Sequence, residues 1–559
     1  MDRILKIFNK ESVNINQAAI LLGLFTLLSQ ILGLFRDRSI AHFIGPSASL
    51  DAYYAAFRVP DFIFISIASL ASFTVIIPFI VAKMNGENVT DDARKYLNDI
   101  FTIFFSAMVL ISFVVFFMMP YLVSIIAPGF DPIMQSKVIV LSRIMLLSPI
   151  LMGLSNLFGA VTQIFRKFFI YSLSPILYNV GIIIGVVFFY PIFGIYGLAA
   201  GVALGALMHF GIQAFASSAL GFKPRFSISI NFLDIKKTIL TSLPRTLGLA
   251  FNNIALISII ALASFLKSGS ISVFNFAFNL QSVPLNIIGI SYAVAAFPTL
   301  AKSMSLGKMG EFKNHLQSAA RAIIFWSLPV TFLFVVLRAQ IVRVILGSGS
   351  FSWDNTRLVA ASLAIFSVSV IAQGMIALLA RSYYARGDTI RPLTINLCCS
   401  ILIVILSFML IHFFESVPFF RYFIESLLKV SDIPGTEVLM LPLAYSTGTI
   451  FNFILYWFFI KRDFMGGESF IAKTFFQSLG ASFFLGAVAY ASLNVLSPIF
   501  GTTTFFGVFL QGFISGILGI ATAILVLYLL KNEELKDIIK VLKTKFWRVK
   551  VVAPTQEGL

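Results

Sequence analysis

Charged side chains suited to binding an anion are concentrated in two stretches near the N-terminus, GLFRDRS and DAYYAAFRVPDF. The ionisable residues singled out from them are Arg36, Asp37, Asp51, Arg58 and Asp61. Ionisable groups inside membrane spans are energetically costly and usually face a cavity or a partner. Arginine carries a planar fork of donors that matches phosphate oxygens and stays charged when partly desolvated. The two stretches therefore predict a polar wall that contacts an anionic head group, with structural ion pairs at helix ends as the alternative.

Helical spacing indicates which of these groups lie near each other. Asp51 and Arg58 are seven residues apart, which places both on one face of a helix. Arg58 and Asp61 are three apart and are also neighbours on a helix surface. Arg36 and Asp37 are adjacent, so their side chains project about 100° apart and need not pair.

Three further regions hold candidate residues. Arg245 follows Pro244 near the start of the seventh predicted span, where it either contacts the substrate or extends to the cytoplasmic interface. The eighth predicted span is dotted with uncharged polar residues: Asn275, Asn279, Gln281, Ser282 and Asn286. They either join helices by hydrogen bonds or line a path. The loop RSYYARGDTIRP between the tenth and eleventh spans predicts a tight turn held by Arg386 and Asp388.

The elements that position these residues are set by the composition. Of 559 residues, 58% are hydrophobic and 12% are charged, and the mean hydropathy is +0.95. These values exclude a soluble globular enzyme, a disordered chain and a collagen-like fibre, and they predict a polytopic α-helical membrane protein. The net charge of +17 lies mostly between apolar runs, so it indicates membrane topology and contact with anionic lipid rather than nucleic acid. Cys398 and Cys399 are adjacent in an apolar run and are predicted to be core residues.

Fourteen runs are long enough to cross a bilayer, since a spanning helix needs about 20 mostly apolar residues. They lie near residues 17–35, 50–82, 99–127, 137–165, 169–190, 192–218, 236–265, 270–303, 316–346, 357–385, 391–414, 438–461, 472–495 and 503–530. The second contains Pro60 and the eighth contains Pro284. Because proline frees a backbone carbonyl, we expect both helices to kink and to line protein or water.

The distribution of basic residues predicts the orientation. An even number of spans places both ends on one side, and with both in the cytoplasm 29 of the 41 Lys and Arg fall in inner loops and tails. The first apolar run has no cleavage site after it and is predicted to be retained. The segment from Lys531 onward has apolar residues at helical spacing among lysines. It predicts a basic amphipathic helix on the inner membrane surface, with a partner-binding tail as the alternative.

An internal repeat indicates two similar halves. AYYAAFRVP at 52–60 and FNFAFNLQSVP at 274–284 precede PFIVAK and PTLAK, whose prolines Pro78 and Pro298 are 220 residues apart. Transporters built from two such halves have their site at the interface. We therefore predict an N-terminal lobe over residues 1–220 and a C-terminal lobe from 221 to the twelfth span, which extends from about 437 to 461. Two extra helices over 462–530 and a basic cytoplasmic tail over 531–559 complete the prediction.

Motifs of soluble enzymes are missing from the sequence. It holds no H-E-x-x-H, no G-x-S-x-G, no Walker A motif and no paired carboxylates with a supporting histidine. We therefore expect no catalytic residue, no metal site and no cofactor. Without an ATP site, transport would be driven by an ion gradient, by membrane potential or by the substrate gradient. GIIIG at 181–185 and GVALG at 201–205 are small-residue patterns that predict helix packing.

Four segments together resemble a known family. GLFRD, FIGPSASLDAYYAAFRVPDF, AVAAFPTLAK and RSYYARGDTIRP are similar, in order and spacing over about residues 15–530, to the motifs of the MurJ/MviN-type lipid II flippases. The resemblance implies an all-α exporter fold of about fourteen transmembrane helices, with two pseudo-symmetric six-helix lobes and two C-terminal helices whose groove takes a lipid tail. It implies a bacterial inner-membrane flippase that moves undecaprenyl-pyrophosphate-linked peptidoglycan precursor outward by alternating access. Its partners would be the lipid-linked anionic substrate and membrane lipids, with cell-wall synthesis proteins as an open further class.

The resemblance also implies roles for the candidate residues. The cavity would contain Arg36, Asp37, Asp51, Arg58, Arg245, Asn279 and Gln281. The structural or gating residues would be Pro60, Asp61, Pro284, Arg386 and Asp388. In this hypothesis Arg36 and Arg58 hold the pyrophosphate, and Asp51 orients Arg58 or takes part in gating.

The sequence departs from the family pattern at several basic positions. Gln30, Ile65 and Asn279 stand where the family commonly has arginine, so the cavity is less cationic than the family implies. Two alternatives therefore stay open: an exporter of another lipid-linked glycan or amphiphile on the same fold, and a non-transporting scaffold of a cell-wall complex. The scaffold gains weight if both arginines are locked in ion pairs. The insert from Glu415 to Glu437 carries no recognised motif.

Overall fold

The computed structural model describes residues 15–68, 77, 79–80, 83–84, 90–165, 167–465, 471–501 and 504–546. Within these ranges the regular elements are helices, and no strand is present. The helices of the first half are α1 Ile15–Phe43, α2 Ala48–Ala56, α3 Arg58–Ile63, α4 Asp91–Ile126, α5 Pro132–Met145, α6 Leu147–Ile164, α7 Phe168–Ile184, α8 Tyr190–Phe193 and α9 Ile195–Ala219. Those of the second half are α10 Phe232–Ala263, α11 Ser270–Pro284, α12 Ser291–Ser305, α13 Met309–Val336, α14 Arg338–Leu346, α15 Trp353–Ala385, α16 Ile390–Ser416, α17 Pro418–Leu428, α18 Met440–Ile460, α19 Ala472–Phe500, α20 Phe505–Leu529 and α21 Glu533–Phe546.

Twelve helical segments of the described chain are long and apolar enough to cross a membrane. They follow the order of the predicted third to fourteenth spans, from Asp91–Ile126 to Phe505–Leu529. The predicted first span falls on α1, and the predicted second span falls on α2, α3 and a stretch that includes residues outside the described ranges. The predicted class, an all-helical polytopic membrane protein, is confirmed, and twelve of the fourteen predicted spans have a counterpart among the described residues.

The two proline-containing helices change helical type near their prolines. The second predicted span is divided at Phe57 into α2 and α3, and a π-helical turn over Phe64–Ala68 follows Pro60 by four residues. In the eighth predicted span, Pro284 ends α11 and a π-helical turn over Leu285–Ile290 follows at once. A proline removes one backbone donor, and a local π-turn is one way in which a helix accommodates the change. Both copies of the predicted repeat therefore share a helix, a proline and a π-turn; Pro78 lies outside the described residues.

The chain divides into two compact units, and the division into two lobes stays a prediction. The first unit comprises Met1–Val283, Val342–Phe366 and Gly387–Leu455. Close helix packing inside it uses glycine: a Cβ added at Gly185 on the α7 side would lie 2.5 Å from the Cα of Gly201 on α9. The two small-residue patterns thus face each other, which confirms their predicted packing role.

The second unit comprises Pro284–Ile341, Ser367–Arg386 and Tyr456–Leu559. One of its cores is formed by buried residues of α13, α19, α20 and α21: Phe325, Ala481, Leu485, Ala523, Leu527 and Leu535. Helix α21 begins after Asn532, whose side chain accepts a hydrogen bond from the backbone of Leu535 at 2.9 Å. Ile538 and Ile539 pack against the same core. The apolar face of α21 was assigned to the membrane surface by its sequence pattern, whereas the structure packs it against protein.

Candidate functional site

Arg36 and Asp37 form an ion pair on α1, although their positions on the helix did not require one. The Nε and Nη2 atoms of Arg36 donate to Oδ1 of Asp37 at 2.9 and 2.8 Å. Nη1 of Arg36 donates to Oδ1 of Asn179 on α7 at 3.1 Å. The guanidinium folds back along the helix because a long side chain can span the angle between neighbouring residues. The sequence argument that left this pair open is thus resolved in favour of an ion pair.

Asp37 also contacts the opposite half of the predicted repeat. Its second oxygen, Oδ2, accepts a hydrogen bond from Nδ2 of Asn279 on α11 at 3.1 Å. Asp37 is buried, and both of its carboxylate oxygens have partners. A buried charge is tolerated only when it is paired and hydrogen-bonded, and this one satisfies both conditions.

Asp51 lies on α2 and caps the start of α11. Its Oδ2 accepts from the backbone N–H of Gly269 at 2.6 Å, and its Oδ1 accepts from the backbone N–H and the hydroxyl of Ser272 at 2.7 and 2.6 Å. Free N–H groups and the positive end of the helix dipole make a helix N-terminus a favourable place for a carboxylate. Only 3% of Asp51 is exposed. Its partners therefore lie on α11 and the turn before it, and no hydrogen bond joins it to Arg58 among the described residues.

Arg58 begins α3 and is bound to a neutral partner. Its Nη2 donates to Oδ1 of Asn275 on α11 at 2.6 Å. Its Nε is buried and has no hydrogen-bond partner in the described part of the chain. The Asp61 carboxylate, three residues further on, interacts with Arg58 through its charge, without a hydrogen bond between the two side chains among the described residues. Of the two arginines, only Arg36 is therefore locked by a carboxylate, so the condition that favoured a scaffold is half met.

Arg38 is a contact that the sequence analysis did not single out. Its Nη1 donates to the backbone carbonyls of Val344 and Ile345 at 2.5 and 3.2 Å, at the end of α14. Carbonyls at a helix C-terminus lack intrahelical partners and attract cations. Its position near Arg36 in GLFRDRS is the sequence feature that could have indicated this contact. Asn179, inside an apolar span, was the other missed partner.

These contacts form one set, which we call the seam. The seam joins α1, α2 and α3 to α11 and the end of α14. The charged residues on the α1 to α3 side are Asp37, Arg38, Asp51 and Arg58. All of these residues belong to the first compact unit. Asn275 and Asn279 supply amide groups to it, while Gln281 is completely buried on the same helix. Of the polar residues of the eighth predicted span, Asn275 and Asn279 thus join helices by hydrogen bonds, whereas Ser282 donates to the carbonyl of Asn279 on its own helix.

Asp61 lies in the wall of a separate cavity of about 170 Å³. Pro60, Ser148 and Tyr178 line the same cavity together with apolar side chains. Pro60 and Pro284 are both buried. Arg245 lies in α10, but its side chain is outside the described residues.

Arg386 and Asp388 flank a tight turn with Gly387 at a φ of 81°. Oδ1 of Asp388 accepts from the backbone N–H groups of Ile390 and Arg391 at 3.2 and 3.1 Å, which caps the start of α16. The guanidinium of Arg386 lies 5.5 Å from the ring centre of Phe464, at cation–π distance. Each residue has a structural partner of its own.

Comparison with protein families and curated proteins gives one consistent match. The family model described as "Lipid II flippase MurJ" matches residues 40–511. A Rhizobium tropici protein named "Probable lipid II flippase MurJ" is 28% identical over 389 residues, which cover 67% of this chain and 71% of that relative. A Borreliella burgdorferi protein with the same name is 27% identical over 502 residues, which cover 86% of this chain and 96% of that relative.

Two solved structures share the fold. A structure described as "Lipid II flippase MurJ, inward closed conformation" aligns with a TM-score of 0.69 at 22% identity, over 93% of this chain and all of that chain. An inward-facing MATE family transporter of the MOP superfamily aligns with a TM-score of 0.62 at 14% identity, over 78% of this chain and 95% of that chain. Both matches are to multi-pass membrane transporters, which agrees with the predicted fold class.

Proposed function

Because the chain belongs to the lipid II flippase family MurJ, we propose that it moves lipid II from the inner to the outer leaflet of a bacterial plasma membrane by alternating access. Both termini lie in the cytoplasm in this proposal. The substrate is anionic at its pyrophosphate and apolar at its undecaprenyl chain, so it needs cationic donors next to a lipid-accessible path. No covalent step is required of the protein.

Arg58 is proposed as the main phosphate-binding group because its hydrogen-bond partner, the amide of Asn275, is neutral. The bond from the charged guanidinium to the amide oxygen of Asn275 has one ionised partner. A bond from the same guanidinium to a phosphate oxygen has two, and it adds the attraction between opposite charges. A pyrophosphate oxygen therefore competes well against the amide oxygen of Asn275 for the guanidinium. The unpartnered Nε offers a second donor in the same plane, which suits bidentate binding.

Arg36 plays a secondary part in this proposal. Its Nε and Nη2 are held by Asp37, and an anion must compete with that carboxylate. Nη1 is bound to the neutral oxygen of Asn179 and is the donor most easily transferred to a substrate oxygen. Asp37 and Asp51 act on the seam rather than on the phosphate, since like charges repel. Opening of the seam is the proposed gating movement. The helical segments at Pro60 and Pro284 act as its hinges.

The test is rescue of a bacterium depleted of its own lipid II flippase, with outer-leaflet lipid II measured directly. The parent chain should restore it. Arg58→Ala should reduce flipping by about 10-fold to 100-fold, since about 1.4 kcal/mol corresponds to a factor of ten. Arg36→Ala should have a smaller effect. Arg143→Ala is the matched control: Arg143 donates to the carbonyl of Phe116 and lies over its ring, away from the seam.

Each other outcome has a definite meaning once membrane expression has been checked. Full rescue by both seam variants would leave the cargo in place and overturn the binding-site assignment. A larger loss from Arg36→Ala than from Arg58→Ala would reverse the proposed order of the two donors. Lack of rescue by a well-expressed parent, with the host's own flippase as positive control, would contradict the cargo.

A further inference from the structure

The insert between the eleventh and twelfth predicted spans forms an amphipathic helix with an unusual orientation. Helix α17, Pro418–Leu428, begins one residue after α16 ends, with proline at its first position. Large apolar or aromatic side chains recur at helical spacing on its exposed surface, beside the exposed Arg421 and Ser426: Phe419, Tyr422, Phe423 and Leu427. Phe419 is 82% exposed and Tyr422 is 66% exposed. A surface helix of a soluble domain would turn such a face inward.

The inward face of α17 holds a carboxylate instead. Glu425 is only 2% exposed. It accepts hydrogen bonds from Nε of Arg421 at 3.0 Å and from the hydroxyl of Thr436 at 2.6 Å. The bond with Arg421 lies within α17, whereas the bond with Thr436 joins the helix to the segment that follows it. Because removal of a partner from a buried charge is strongly unfavourable, the Thr436 bond holds the polar side of the helix against the protein. The aromatic side is therefore directed away from the protein by the structure itself.

The segment that follows α17 is also fixed. Lys429 ends the helix in a left-handed conformation, and its carbonyl accepts a bond from Nη2 of Arg357 at 2.5 Å. The same guanidinium donates to both oxygens of Asp432, at 2.7 and 2.5 Å. It lowers the pKa of Asp432, so this anchor stays ionised at neutral pH. A rotation of α17 that buried its aromatic face would break the bond between Glu425 and Thr436.

The surface next to α17 indicates what covers the aromatic face. The preceding helix, α16, is a membrane-span candidate of 27 residues, about 40 Å at 1.5 Å per residue. This exceeds the roughly 30 Å hydrocarbon core, so its last turn reaches the membrane interface. Phe413 on that turn is exposed, and its ring lies 4.9 Å from the ring of Phe420 on α17. The exposed face of α17 is therefore continuous with the lipid-facing surface of a spanning helix.

We propose that α17 is an interfacial helix whose aromatic face inserts into the boundary between head groups and acyl chains of the lipid bilayer, on the side where α16 ends. Aromatic side chains are enriched at this depth, and amphipathic helices bind there in proportion to their buried apolar area. In the proposed orientation this is the outer leaflet. The insert thus fixes the depth of α16 and α18 at the interface, a role independent of the cargo.

The experiment measures membrane depth by spin-label accessibility in the full chain, reconstituted in phosphatidylglycerol–phosphatidylethanolamine vesicles. In a background with Cys398→Ala and Cys399→Ala, single labels are placed by Phe419→Cys, Phe423→Cys and, as the control on the same segment, Lys429→Cys. Phe113→Cys on α4, where Phe113 is 61% exposed, serves as the lipid reference. Oxygen concentrates in the bilayer, whereas a nickel chelate stays in water. We expect the oxygen-to-nickel ratio at 419 and 423 to be several-fold higher than at 429 and to approach the ratio at 113.

Two results would overturn the proposal. Nickel accessibility at 419 and 423 equal to that at 429 would mean that the aromatic face is in water. Exclusion of both reagents, with dipolar broadening that disappears on dilution with unlabelled protein, would mean that a second copy covers it. A second measurement uses Phe423→Trp, which changes one aromatic residue for another. Its added fluorescence should be quenched more by lipid brominated near the head group than by lipid brominated near the chain end, and absence of quenching by either would also contradict the proposal.

Discussion

At the scale of single residues, the strongest contact in the seam is the carboxylate of Asp51 at the N-terminus of α11. It receives three hydrogen bonds, from Gly269 and from two groups of Ser272. A hydrogen bond to a charged group contributes about 1.5–3 kcal/mol, and the helix dipole adds to it. Removal of this carboxylate should therefore shift the seam toward its open state.

Asp51→Ala tests this expectation with a cysteine reporter. Ser270 is 4% exposed and begins α11, so a thiol introduced by Ser270→Cys in the background without Cys398 and Cys399 should react slowly with a maleimide. Adding Asp51→Ala should raise the reaction rate by about tenfold or more, as a loss of at least 1.4 kcal/mol implies.

Asp131→Ala supplies the control for the loss of a helix-capping carboxylate. Asp131 caps only its own helix, by accepting a bond from the backbone of Met134 at 2.7 Å. Its removal should leave the rate at the Ser270→Cys thiol unchanged. An equal increase from both variants would mean that the reporter senses general loosening, and no increase from Asp51→Ala would contradict a seam held by this cap.

Asp51 also shows which of the seam contacts the sequence could predict. The spacing predicts Asp51 and Arg58 on one helix face, whereas the helix is divided between them at Phe57. Their partners are Ser272 and Asn275, more than 200 positions along the chain. Spacing ranks neighbours within a helix and carries no information about which distant helix end approaches. The spacing therefore predicted a polar surface that includes these residues, but it could not predict which atoms they bind. The Arg36 and Asp37 pair was left open by the projection angle, and the reach of the guanidinium decides it in favour of an ion pair.

At the scale of elements, glycine patterns were the most informative sequence feature. GIIIG and GVALG predicted close helix packing, and α7 and α9 meet at Gly185 and Gly201. This prediction was possible because a residue without a side chain allows two helix backbones to approach each other closely. The π-turns after Pro60 and Pro284 were predicted only as kinks, since proline specifies a missing donor but not how the helix accommodates it.

Gly201→Ala should destabilise the protein by about 1–3 kcal/mol, because its Cβ would clash with the backbone of α7 and force the helices apart. Gly211→Ala is the matched control on the same helix, since an added Cβ there meets nothing within 4 Å. It should be neutral or stabilising by up to about 1 kcal/mol, the usual gain from Gly to Ala inside a helix. Thermal unfolding in one detergent measures both. Equal midpoints for the two variants would contradict the packing role.

At the scale of the whole molecule, charge and hydropathy specify the membrane topology better than they specify the site. Twelve of the predicted spans correspond in order to long apolar helices, because a bilayer imposes one length and one composition on each of them. The charged seam residues lie in or directly beside the first two predicted spans, as is usual for ionisable groups that face a partner or a cavity. The predicted orientation depends on 29 of 41 basic residues lying on one side.

A matched pair of lysine substitutions tests that orientation. Lys308 lies between α12 and α13, and Lys429 ends α17; both are exposed. In cells that make the variant lacking Cys398 and Cys399, a membrane-impermeant maleimide should label Lys429→Cys without permeabilisation, because the loop after the eleventh span is predicted to be outside. Lys308→Cys should be labelled only after permeabilisation. The opposite pattern would place both predicted termini outside and would make the basic loops an exception to the positive-inside rule. Labelling of both sites in intact cells would require an even number of membrane crossings between them, so that one of α13, α15 and α16 would not cross the membrane.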